Sequence, residues 1–354
     1  MKVAILGAGL AGLSCAKYLE NNGLYPTIFE RRHKVGERFP NMEVISQALY
    51  RPIKDPVVFI NKKFGLNIMP SSIMHTLEIN SPNNRATFTG HNLGYTTIRG
   101  NDKRSLESQL ASQIQSTINF NSNMTWQELE KEFDQIVIAT GDPIISIELG
   151  VWKTDVEAFL MGCKVKGRFD TGVSRIWLDQ NISKQCMVYF APFSNTEASY
   201  CTVAIPSSQE ELESLWFKTV EKLNIISVSG TEFKFEEYKI GRVSTRQVGK
   251  MLLAGAAGGF VEPFMGFGQV PSILSGIYAA ISILEGKDFN SITKWLDRIY
   301  MDCLTLRKYA NQMKNSTFDK LVSLLNFPVF KRMFENSEVP LIKLTAGFIN
   351  LIMR

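Results

Sequence analysis

The sequence predicts an α/β fold, in which a nucleotide-binding sheet carries an inserted antiparallel (α+β) sheet domain and a helical C-terminal region. Three observations support this prediction. An apolar strand runs into a glycine turn at the start, further apolar runs alternate with helical stretches, and short strands fill the middle of the chain. At 354 residues and 45% hydrophobic, the chain is long enough to bury a full core.

The opening residues predict a dinucleotide site. The apolar strand at residues 1–6 enters a Gly-x-Gly-x-x-Gly turn, and a helix follows at residues 10–21. In this setting the first glycine permits the turn, the second lets the backbone approach a pyrophosphate, and the third lets helix and strand pack closely. The pyrophosphate then lies over the helix N-terminus. The predicted cofactor contacts in this segment are Gly7, Gly9, Ala11, Gly12 and Leu13.

An acidic residue follows the second predicted strand, at residues 26–29. Glu30 stands there, with Arg31 beside it, and its carboxylate is placed to accept hydrogen bonds from a ribose. We predict that both residues contact the cofactor. The glycine turn and this acid together predict that a dinucleotide binds, but they do not show whether it is NAD or FAD.

Two later pieces extend the nucleotide-binding half. The first has a predicted helix at residues 105–115 and a continuous apolar strand at 135–141, which is typical of a parallel sheet covered on both faces. The second has a strand at 251–254 and a helix at 269–284. The nucleotide-binding domain is therefore predicted to be discontinuous, comprising residues 1–43, 100–160 and 240–286.

The intervening stretches predict an antiparallel substrate-binding sheet, at residues 44–99 and 161–239. Its strands are expected at 163–169, 173–178, 187–192 and 199–205, and Ser207 or Ser208 is expected to cap a helix that runs to 223. The remainder, 287–354, is predicted to be helical.

Composition narrows the function classes. Three His and five Cys residues are scattered without metal-ligand or C-x-x-C spacing, so we expect neither a metal site nor a disulfide framework. The first strand begins at residue 1, and the longest apolar runs are shorter than a membrane span. We therefore expect a cytoplasmic protein without a nucleic-acid partner.

The C-terminal region is basic and amphipathic. Residues 287–354 carry eleven Lys and Arg against six Asp and Glu, a surplus that equals the net charge of +5 of the whole chain. Basic amphipathic helices can lie on an anionic membrane surface, which would give a peripheral contact through residues 320–354. The alternative is that they pack on the domain with a solvated basic side.

A late glycine-proline motif carries a family resemblance. Residues 252–268 read LLAGAAGGFVEPFMGFG, which resembles the late FAD motif of the p-hydroxybenzoate hydroxylase superfamily, and most closely its geranylgeranyl reductase branch. The resemblance implies an FAD cofactor whose isoalloxazine ring lies against the glycines, with the next helix N-terminus pointing at the ring. The contacts it implies here are Gly255, Ala256, Pro263, Gly266 and Gly268.

Residues 133–143, which include Thr140 and Gly141, are similar to the central Asp-Gly segment of that superfamily beside the pyrophosphate. Arg99 with residues 105–110 resembles its arginine-plus-helix element, and Arg38 stands where members place a flavin-contacting Arg. The spacing also permits Lys103 or Arg104 in the role of Arg99, and a solvated surface role for Arg38.

Two departures from the family pattern concern acids. Ala256 replaces the Asp that bonds the ribityl chain in the family, and Thr140 replaces the Asp of the central segment. Losing one charge-assisted hydrogen bond costs roughly 1.5 to 3 kcal/mol, which corresponds to about one to two decades of affinity. We therefore expect weaker FAD binding rather than none.

Several other polar and aromatic side chains are candidates for a role at the site. Glu262 is expected either near the flavin edge or, as the favoured interpretation, as a plain loop carboxylate, and the three histidines are expected as structural or surface residues. Tyr189, Phe190 and Phe193 are expected either in the sheet core or in a substrate wall. No nucleophile or carboxylate pair stands out, which is consistent with chemistry supplied by a cofactor.

The resemblance implies an enzyme in which reduced FAD delivers hydride to a carbon–carbon double bond of an isoprenoid or other hydrophobic lipid. The residues leave the electron donor open. Two alternatives remain. One is a flavin monooxygenase acting on an aromatic or other small molecule, and the other is a cofactor-free protein that binds a lipid or prenyl group.

Overall fold

A computed structural model describes residues 1–37, 40–51, 53–335 and 338–352, with side chains left undescribed at 234–237 and 348–352. Its strands are β1 Val3–Leu6, β2 Thr27–Phe29, β3 Asn41–Ser46, β4 Ser72–Asn80, β5 Arg85–Arg99, β6 Ile118–Asn119, β7 Gln135–Ile138, β8 Trp152–Lys166, β9 Val173–Trp177, β10 Met187–Pro192, β11 Glu197–Ala204, β12 Phe233–Val243, β13 Gln247–Val248 and β14 Met251–Leu253.

The α-helices connect these strands and form the C-terminal region. They are α1 Leu10–Asn21, α2 Pro56–Phe64, α3 Leu106–Ala111, α4 Trp126–Glu132, α5 Ile144–Glu148, α6 Gln209–Leu223, α7 Gln269–Glu285, α8 Phe289–Ala310, α9 Asn315–Leu325, α10 Pro328–Glu335 and α11 Leu341–Ile352. Single 3-10 turns lie at Gln47–Leu49 and Gly255–Gly258.

The first sheet has the order β13-β14-β7-β1-β2-β6 and is parallel except for the β13–β14 pair. Successive residues of its central strands enter different cores. Val3 and Ile5 join the core that contains α1 and α7, while Ala4 and Leu6 join the core on the other face. The prediction of a parallel sheet covered on both faces is therefore confirmed.

The second sheet has the order β12-β8-β11-β10-β9-β4-β5-β3, and its pairs are antiparallel except β4–β9. The sequence predicted a strand from residue 163, whereas β8 begins at Trp152 and pairs along its length with β12. β8 and β12 cross residues 160 and 239, the predicted domain boundaries. The division into domains therefore stays a prediction.

Helix boundaries follow local caps. α1 and α7 begin where the sequence predicted, and Ser208 accepts from the backbone N–H of Glu211 at the start of α6. α3 was predicted to reach residue 115 but ends at Ala111. The reason is tertiary, because the side chain of Gln113 bonds the backbone of Asn67 through both its oxygen (3.0 Å) and its nitrogen (2.7 Å).

The C-terminal helices pack on the rest of the fold in two groups, one against α7 and one against β5. α8 packs along α7, α11 packs on α8, and α9 and α10 pack against β5. In the part of the chain that the structure describes, no helix is long and apolar enough to cross a membrane. Within those same residues, no group of three His, Cys, Asp or Glu side chains is arranged to hold a metal ion.

Candidate cofactor site

Four neighbouring parallel strands end at one edge of the first sheet. Backbone bonds of 2.8 Å run from Gly7 N to Phe29 O, from Ala139 N to Leu6 O and from Ala254 N to Ile138 O. These bonds bring the ends of β2, β1, β7 and β14 level with one another. The carboxyl edge of such a sheet is where dinucleotides bind. The predicted site residues that follow these ends are Gly7, Glu30, Thr140, Gly141, Gly255 and Ala256.

The three glycines of the opening turn have different surroundings. Gly7 has φ +111°, and a Cβ there would lie 2.3 Å from the carbonyl oxygen of Ala139. A Cβ on Gly12 would lie 2.0 Å from the carbonyl oxygen of Gly7. At Gly9, apart from its two chain neighbours, no heavy atom of the described residues lies within 4 Å of such a Cβ. Gly7 and Gly12 are thus needed for the fold, whereas Gly9 faces open space at the N-terminus of α1.

The other two predicted contacts of this segment are buried. Leu13 is fully buried, and its N–H donates to the carbonyl of Gly9 at 2.9 Å. The methyl group of Ala11 lies 3.1 Å from where a Cβ on Gly255 would be. Their side chains therefore pack α1 against its neighbours, and their role as cofactor contacts stays a prediction.

Glu30 lies against the glycine turn. Its Oε2 accepts from the N–H of Ala8 at 2.8 Å, and its Oε1 accepts from the N–H of Arg32 at 3.0 Å. An ionised carboxylate offers about four lone-pair sites. Glu30 therefore keeps capacity to accept from the hydroxyls of a ribose while it holds the turn.

Arg31 bridges the ends of β2 and β7. Its guanidinium lies 3.2 Å from the carboxylate of Asp142. Thr140 donates through Oγ1 to the backbone oxygen of Asp142 at 3.0 Å, and Gly141 has φ +78°. Thr140 thus stands where the family has an acid, and its hydroxyl is already bonded to the backbone two residues further along.

Arg99 is held between two carboxylates. Its Nε lies 2.8 Å from Glu107 and its Nη1 lies 3.1 Å from Glu43, and these two anions raise the pKa of the guanidinium. Glu107 Oε2 is buried without a hydrogen-bond partner among the described residues. The sequence did not predict either acid as a partner, although Glu107 lies two residues after the predicted start of α3, within its first turn.

The two alternatives to Arg99 lie outside this cluster. Lys103 is exposed, and Arg104 pairs at 3.0 Å with Asp102 while more than half of its side chain is exposed. Of these three cations, Arg99 is the one that the structure buries near the chain segment after β2, where a Cβ on Gly36 would lie 2.8 Å from Gly100 O. Arg38 lies outside the described residues, so its predicted role is left as a prediction.

The late glycine motif returns the chain to the same edge. Gly255 has φ +60°, and its N–H donates to Ser275 Oγ of α7 at 2.9 Å. Ala256 follows in the 3-10 turn and is partly buried against an apolar cluster. The hydroxyl of Ser272 lies 3.8 Å from a Cβ built on Gly255. Two hydroxyls of α7, those of Ser272 and Ser275, therefore lie beside Gly255, the residue that precedes the position where the family carries its acid.

Glu262 organises the loop that precedes α7. Its carboxylate accepts from the N–H groups of Phe264 (2.7 Å), Met265 (2.9 Å) and Phe267 (3.0 Å), and it is 2% exposed. Burial raises the pKa of this carboxyl, while the three N–H donors act in the opposite direction. The interpretation as a plain loop carboxylate was incomplete, because Glu262 fixes the backbone that holds the predicted flavin contacts.

The loop residues themselves leave room beside them. Gly266 has φ +79°, and the nearest atom to a Cβ there is Ile240 Cδ1 at 4.0 Å. Gly268 is the N-cap of α7 and supplies no side-chain acceptor to the helix N-terminus. Pro263 is buried. In the first turn of α7, Pro271 has no N–H and the Ser272 N–H donates to Gly268 O at 2.9 Å, so the N–H groups of Gln269 and Val270 are those that an anionic ring edge would meet.

An apolar wall lies on one face of the second sheet, beside Ala256 and the loop. Its strand residues alternate with residues of the opposite face and therefore share one face, and Val261 of the loop and Leu304 of α8 pack against them. The apolar wall comprises Val156, Ala158, Leu160, Tyr189, Cys201, Val203, Tyr238, Ile240, Val261 and Leu304.

The predicted aromatic residues divide between the two faces of this sheet. The hydroxyl of Tyr189 accepts from Asn41 Nδ2 at 2.8 Å on the apolar-wall side. Phe190 packs with Tyr200 in a separate core, at a ring distance of 4.9 Å, and Phe193 packs in a third. Tyr189 alone of the three is on the wall. The histidines are at the surface, as predicted.

The residues present fit an FAD molecule in three respects. Space is open over Gly9 and beside Gly266, where the pyrophosphate and the ring are expected. The N-caps of α1 and α7 are both glycines without a side-chain acceptor. The unpartnered buried oxygen of Glu107 can accept from a hydroxyl donor.

Sequence comparison identifies the opening segment. Residues 5–47 match the family described as an NAD(P)-binding Rossmann-like domain. A stretch of 36 residues is 64% identical to 15-cis-phytoene desaturase from Synechococcus elongatus, and it covers 10% of this chain and 8% of the desaturase. Each of these two sequence matches covers a short part of the chain, and the family match lies on the opening glycine turn and the strand after it.

Structural comparison covers the whole chain. A geranylgeranyl bacteriochlorophyll reductase-like protein from Thermoplasma acidophilum superposes with a TM-score of 0.71 over 98% of both chains, at 13% identity. A flavoprotein/dehydrogenase from Cytophaga hutchinsonii has a TM-score of 0.62 over 100% of this chain and 99% of its own, at 15% identity. A point mutant of the halogenase PltM in complex with FAD has a TM-score of 0.62 over 99% of this chain and 91% of its own, at 12% identity. At these identities the comparison shows the fold alone, which this chain shares with flavoproteins, and it confirms the predicted fold class.

Proposed function

We propose that this chain, which has the fold of the geranylgeranyl reductase-like flavoproteins, is an FAD-dependent oxidoreductase that reduces carbon–carbon double bonds of an isoprenoid or other hydrophobic lipid. The observation that carries the proposal is the meeting of two distant glycine motifs at one sheet edge, beside the apolar wall. The first motif suits the AMP end of FAD, and the second suits its flavin end.

Different residues bind different parts of the cofactor in this proposal. The N-terminus of α1 at Gly9 takes the pyrophosphate, and Glu30 accepts from the ribose of the AMP half. The N-terminus of α7 at Gly268 faces the flavin, where its N–H groups stabilise negative charge. Glu262 keeps the intervening loop in one conformation. When bound and reduced, FAD supplies the hydride, and the protein supplies position, dryness and electrostatics.

Arg99 suits a neutral part of the cofactor better than the pyrophosphate. The guanidinium with Glu43 and Glu107 carries a combined charge of minus one, which disfavours a further anion nearby. A guanidinium has five N–H donors, and the two ion pairs engage Nε and Nη1. The remaining donors, together with the unpartnered Glu107 oxygen, suit the hydroxyls of a ribityl chain.

The apolar wall favours a hydrophobic substrate. Its side chains come from β8, β10, β11 and β12 and reach the loop at Val261 and the 3-10 turn at Ala256. Its side chains are aliphatic, apart from the thiol of Cys201 and the hydroxyls of Tyr189 and Tyr238, and binding sites for hydrophobic ligands are lined mostly by such side chains. A double bond held between this wall and the flavin would be shielded from water.

The test uses the purified full-length chain. We expect a yellow protein that releases FAD on denaturation, and whose reduced flavin is reoxidised without oxygen by a geranylgeranyl lipid. Mass spectrometry should then show the gain of one H2 for each reduced bond. The matched control is the fully saturated lipid of the same chain length, which offers no double bond. Reduced flavin that no prenyl lipid reoxidises would overturn the reductase proposal.

A flavin monooxygenase is the second candidate, because the fold is shared with the halogenase PltM as well as with the reductase-like protein. NAD(P)H oxidation coupled to a hydroxylated product would favour it.

A cofactor-free lipid binder is the third candidate. Thr140, whose hydroxyl bonds the backbone of Asp142, and Ala256, which carries only a methyl group, support it because neither supplies the acid that the family uses for FAD. A colourless protein that FAD cannot reconstitute would select that candidate.

A further inference from the structure

The C-terminal region exposes a line of apolar side chains where α9 ends and α10 begins. Leu324 is 49% exposed, Phe327 56%, Val329 58% and Phe330 40%. We refer to these four side chains as the α9–α10 ridge. None of the described residues of α10 is buried. Single exposed apolar residues are ordinary on soluble proteins, but four within seven positions form a patch that calls for a partner.

Basic side chains accompany the ridge at helical spacing. Lys320 lies four residues before Leu324, and Lys331 lies four residues after Phe327, so each cation shares a face with an exposed apolar side chain. Arg332 and Val329 line one cavity of about 430 Å³. The ridge therefore combines exposed apolar groups with a rim of positive charge.

The acids of these two helices do little to neutralise that rim. Asp319 is turned toward the β4–β5 hairpin, where it accepts from Ser81 Oγ at 2.7 Å and from the N–H of Asn83 at 2.9 Å. Glu335 is the exposed acid at the end of α10. Lys320, Lys331 and Arg332 outnumber it.

The ridge is fixed to the rest of the fold. Arg51 donates to the carbonyl oxygens of Met333 and Val339, each at 3.0 Å. The ring of Phe334 packs on Phe88 of β5 with 4.3 Å between centroids. Because the inward face of α10 is anchored in this way, its other face is held toward solvent, and little ordering is needed when a partner binds.

We propose that the α9–α10 ridge docks on an anionic lipid bilayer surface. The four apolar side chains enter the boundary of headgroups and acyl chains, and Lys320, Lys331 and Arg332 lie at the level of the lipid phosphates. Charge complementarity decides between occupants. The same face of a second copy carries the same positive rim and is repelled, whereas an anionic bilayer attracts it. The proposal does not depend on the reaction assigned above, since it stands on this surface alone.

The experiment is co-sedimentation of the full chain with vesicles. We expect the chain to bind vesicles of phosphatidylglycerol and phosphatidylcholine mixed in equal parts, and to bind vesicles of pure phosphatidylcholine at least tenfold more weakly. Added salt should weaken the binding, because the electrostatic part is screened.

Variants separate the apolar contribution to vesicle binding from the electrostatic one. Phe327→Ser combined with Phe330→Ser should lower the partition coefficient at least tenfold, and Lys331→Glu combined with Arg332→Glu should abolish the preference for the anionic lipid. Phe217→Ser is the matched control. Phe217 is 69% exposed on α6, outside the ridge, so its replacement should leave binding unchanged.

Equal binding to both vesicle types, no binding to either, or an equal loss in the Phe217→Ser variant would each overturn the proposal. So would a dimer in light scattering that the ridge variants dissolve, because the occupant would then be a second copy. Thermal unfolding of each variant checks that it is folded. The readout needs neither cofactor nor turnover, so failure of the reductase assay leaves this result unaffected.

Discussion

Ala11 and Gly276 bring α1 and α7 into backbone contact. A Cβ on Gly276 would lie 2.0 Å from the carbonyl oxygen of Ala11. α1 begins at the opening glycine turn, and α7 begins at the late glycine loop. This one contact therefore sets the spacing between the two helix N-termini that are assigned to the two ends of the cofactor.

Replacing Gly276 should destabilise the fold. Gly276→Ala places a methyl group into a backbone carbonyl that cannot rotate away, so we expect a loss of about 2 to 3 kcal/mol in the free energy of unfolding. Gly347→Ala is the matched control. Gly347 is also helical, but no described atom outside its own helix backbone lies within 4 Å of its Cβ position, and alanine there should stabilise by up to about 1 kcal/mol. Urea unfolding measures both, and equal effects would contradict the assigned contact.

Gly9 should separate cofactor binding from folding. Its φ of −91° suits any residue, and space beside it is open, so Gly9→Val should fold with a nearly unchanged melting temperature. The new side chain would occupy the space assigned to the pyrophosphate, and FAD affinity should fall at least a hundredfold. Flavin fluorescence titration measures the affinity. Gly12→Val is the contrasting variant, because its side chain meets backbone and should prevent folding. Unchanged FAD affinity in Gly9→Val would refute the assignment.

The glycine turn was predictable because its constraints are local. Gly7 and Gly12 meet atoms of the same strand–turn–helix unit or of the adjacent strand, so their spacing in sequence carries the geometry. The end of α3 was not predictable in this way. Gln113 leaves the helix to bond Asn67, a partner distant in sequence that no periodicity in residues 105–115 reveals.

The Arg99 cluster should show strong energetic coupling. Arg99→Leu leaves Glu43 and Glu107 facing each other without a cation, whereas Glu107→Gln removes one acid and keeps an amide oxygen for the guanidinium. We expect Arg99→Leu to cost about 3 kcal/mol and Glu107→Gln about 1 to 2 kcal/mol. The double variant should cost less than the sum. A double-mutant cycle in urea measures the coupling, and strict additivity would contradict the observed pairing.

Glu211 should give the fold an acid-dependent component. Bonds from Ser207 and Lys184 lower the pKa of this carboxyl from 4.5 to about 2. Because the pKa in the folded state is depressed, the stabilisation is complete above about pH 4.5 and is lost as pH falls toward about 2. Its side chain is a third exposed, so solvent screening reduces the effect to about 1 kcal/mol.

Urea unfolding between pH 2 and pH 7 tests this expectation. Glu211→Gln should remove that part of the pH dependence, and Glu221→Gln controls for the loss of one negative charge from the same helix. A Glu211→Gln variant with the full wild-type pH profile would show that the carboxylate contributes nothing.

The residues that sequence reasoning missed at the site are acids that act through the backbone or through another side chain. Glu262 bonds three N–H groups of its own loop, and Glu43 and Glu107 hold Arg99 from two different elements. The position of Glu262 just before Pro263 was visible, but its inward orientation depends on burial beneath α8. Glu43 and Arg99 are 56 residues apart and meet only because β3 pairs with β5.

Restoring the family acid at Ala256 should strengthen FAD binding. Ala256 follows the φ-positive Gly255 at the sheet edge, and in the resembling family an aspartate here bonds the ribityl chain. One added charge-assisted hydrogen bond is worth roughly 1.5 to 3 kcal/mol, so Ala256→Asp should tighten the Kd for FAD about ten- to a hundredfold. Ala256→Asn, with the same shape and no charge, should gain less. Titration of the cofactor-free protein with FAD measures the Kd of wild type, Ala256→Asp and Ala256→Asn. If wild type takes up no FAD and Ala256→Asp does, this chain is a lipid binder that lost its cofactor at this residue. If neither substitution changes the Kd, the ribityl chain does not pass Ala256.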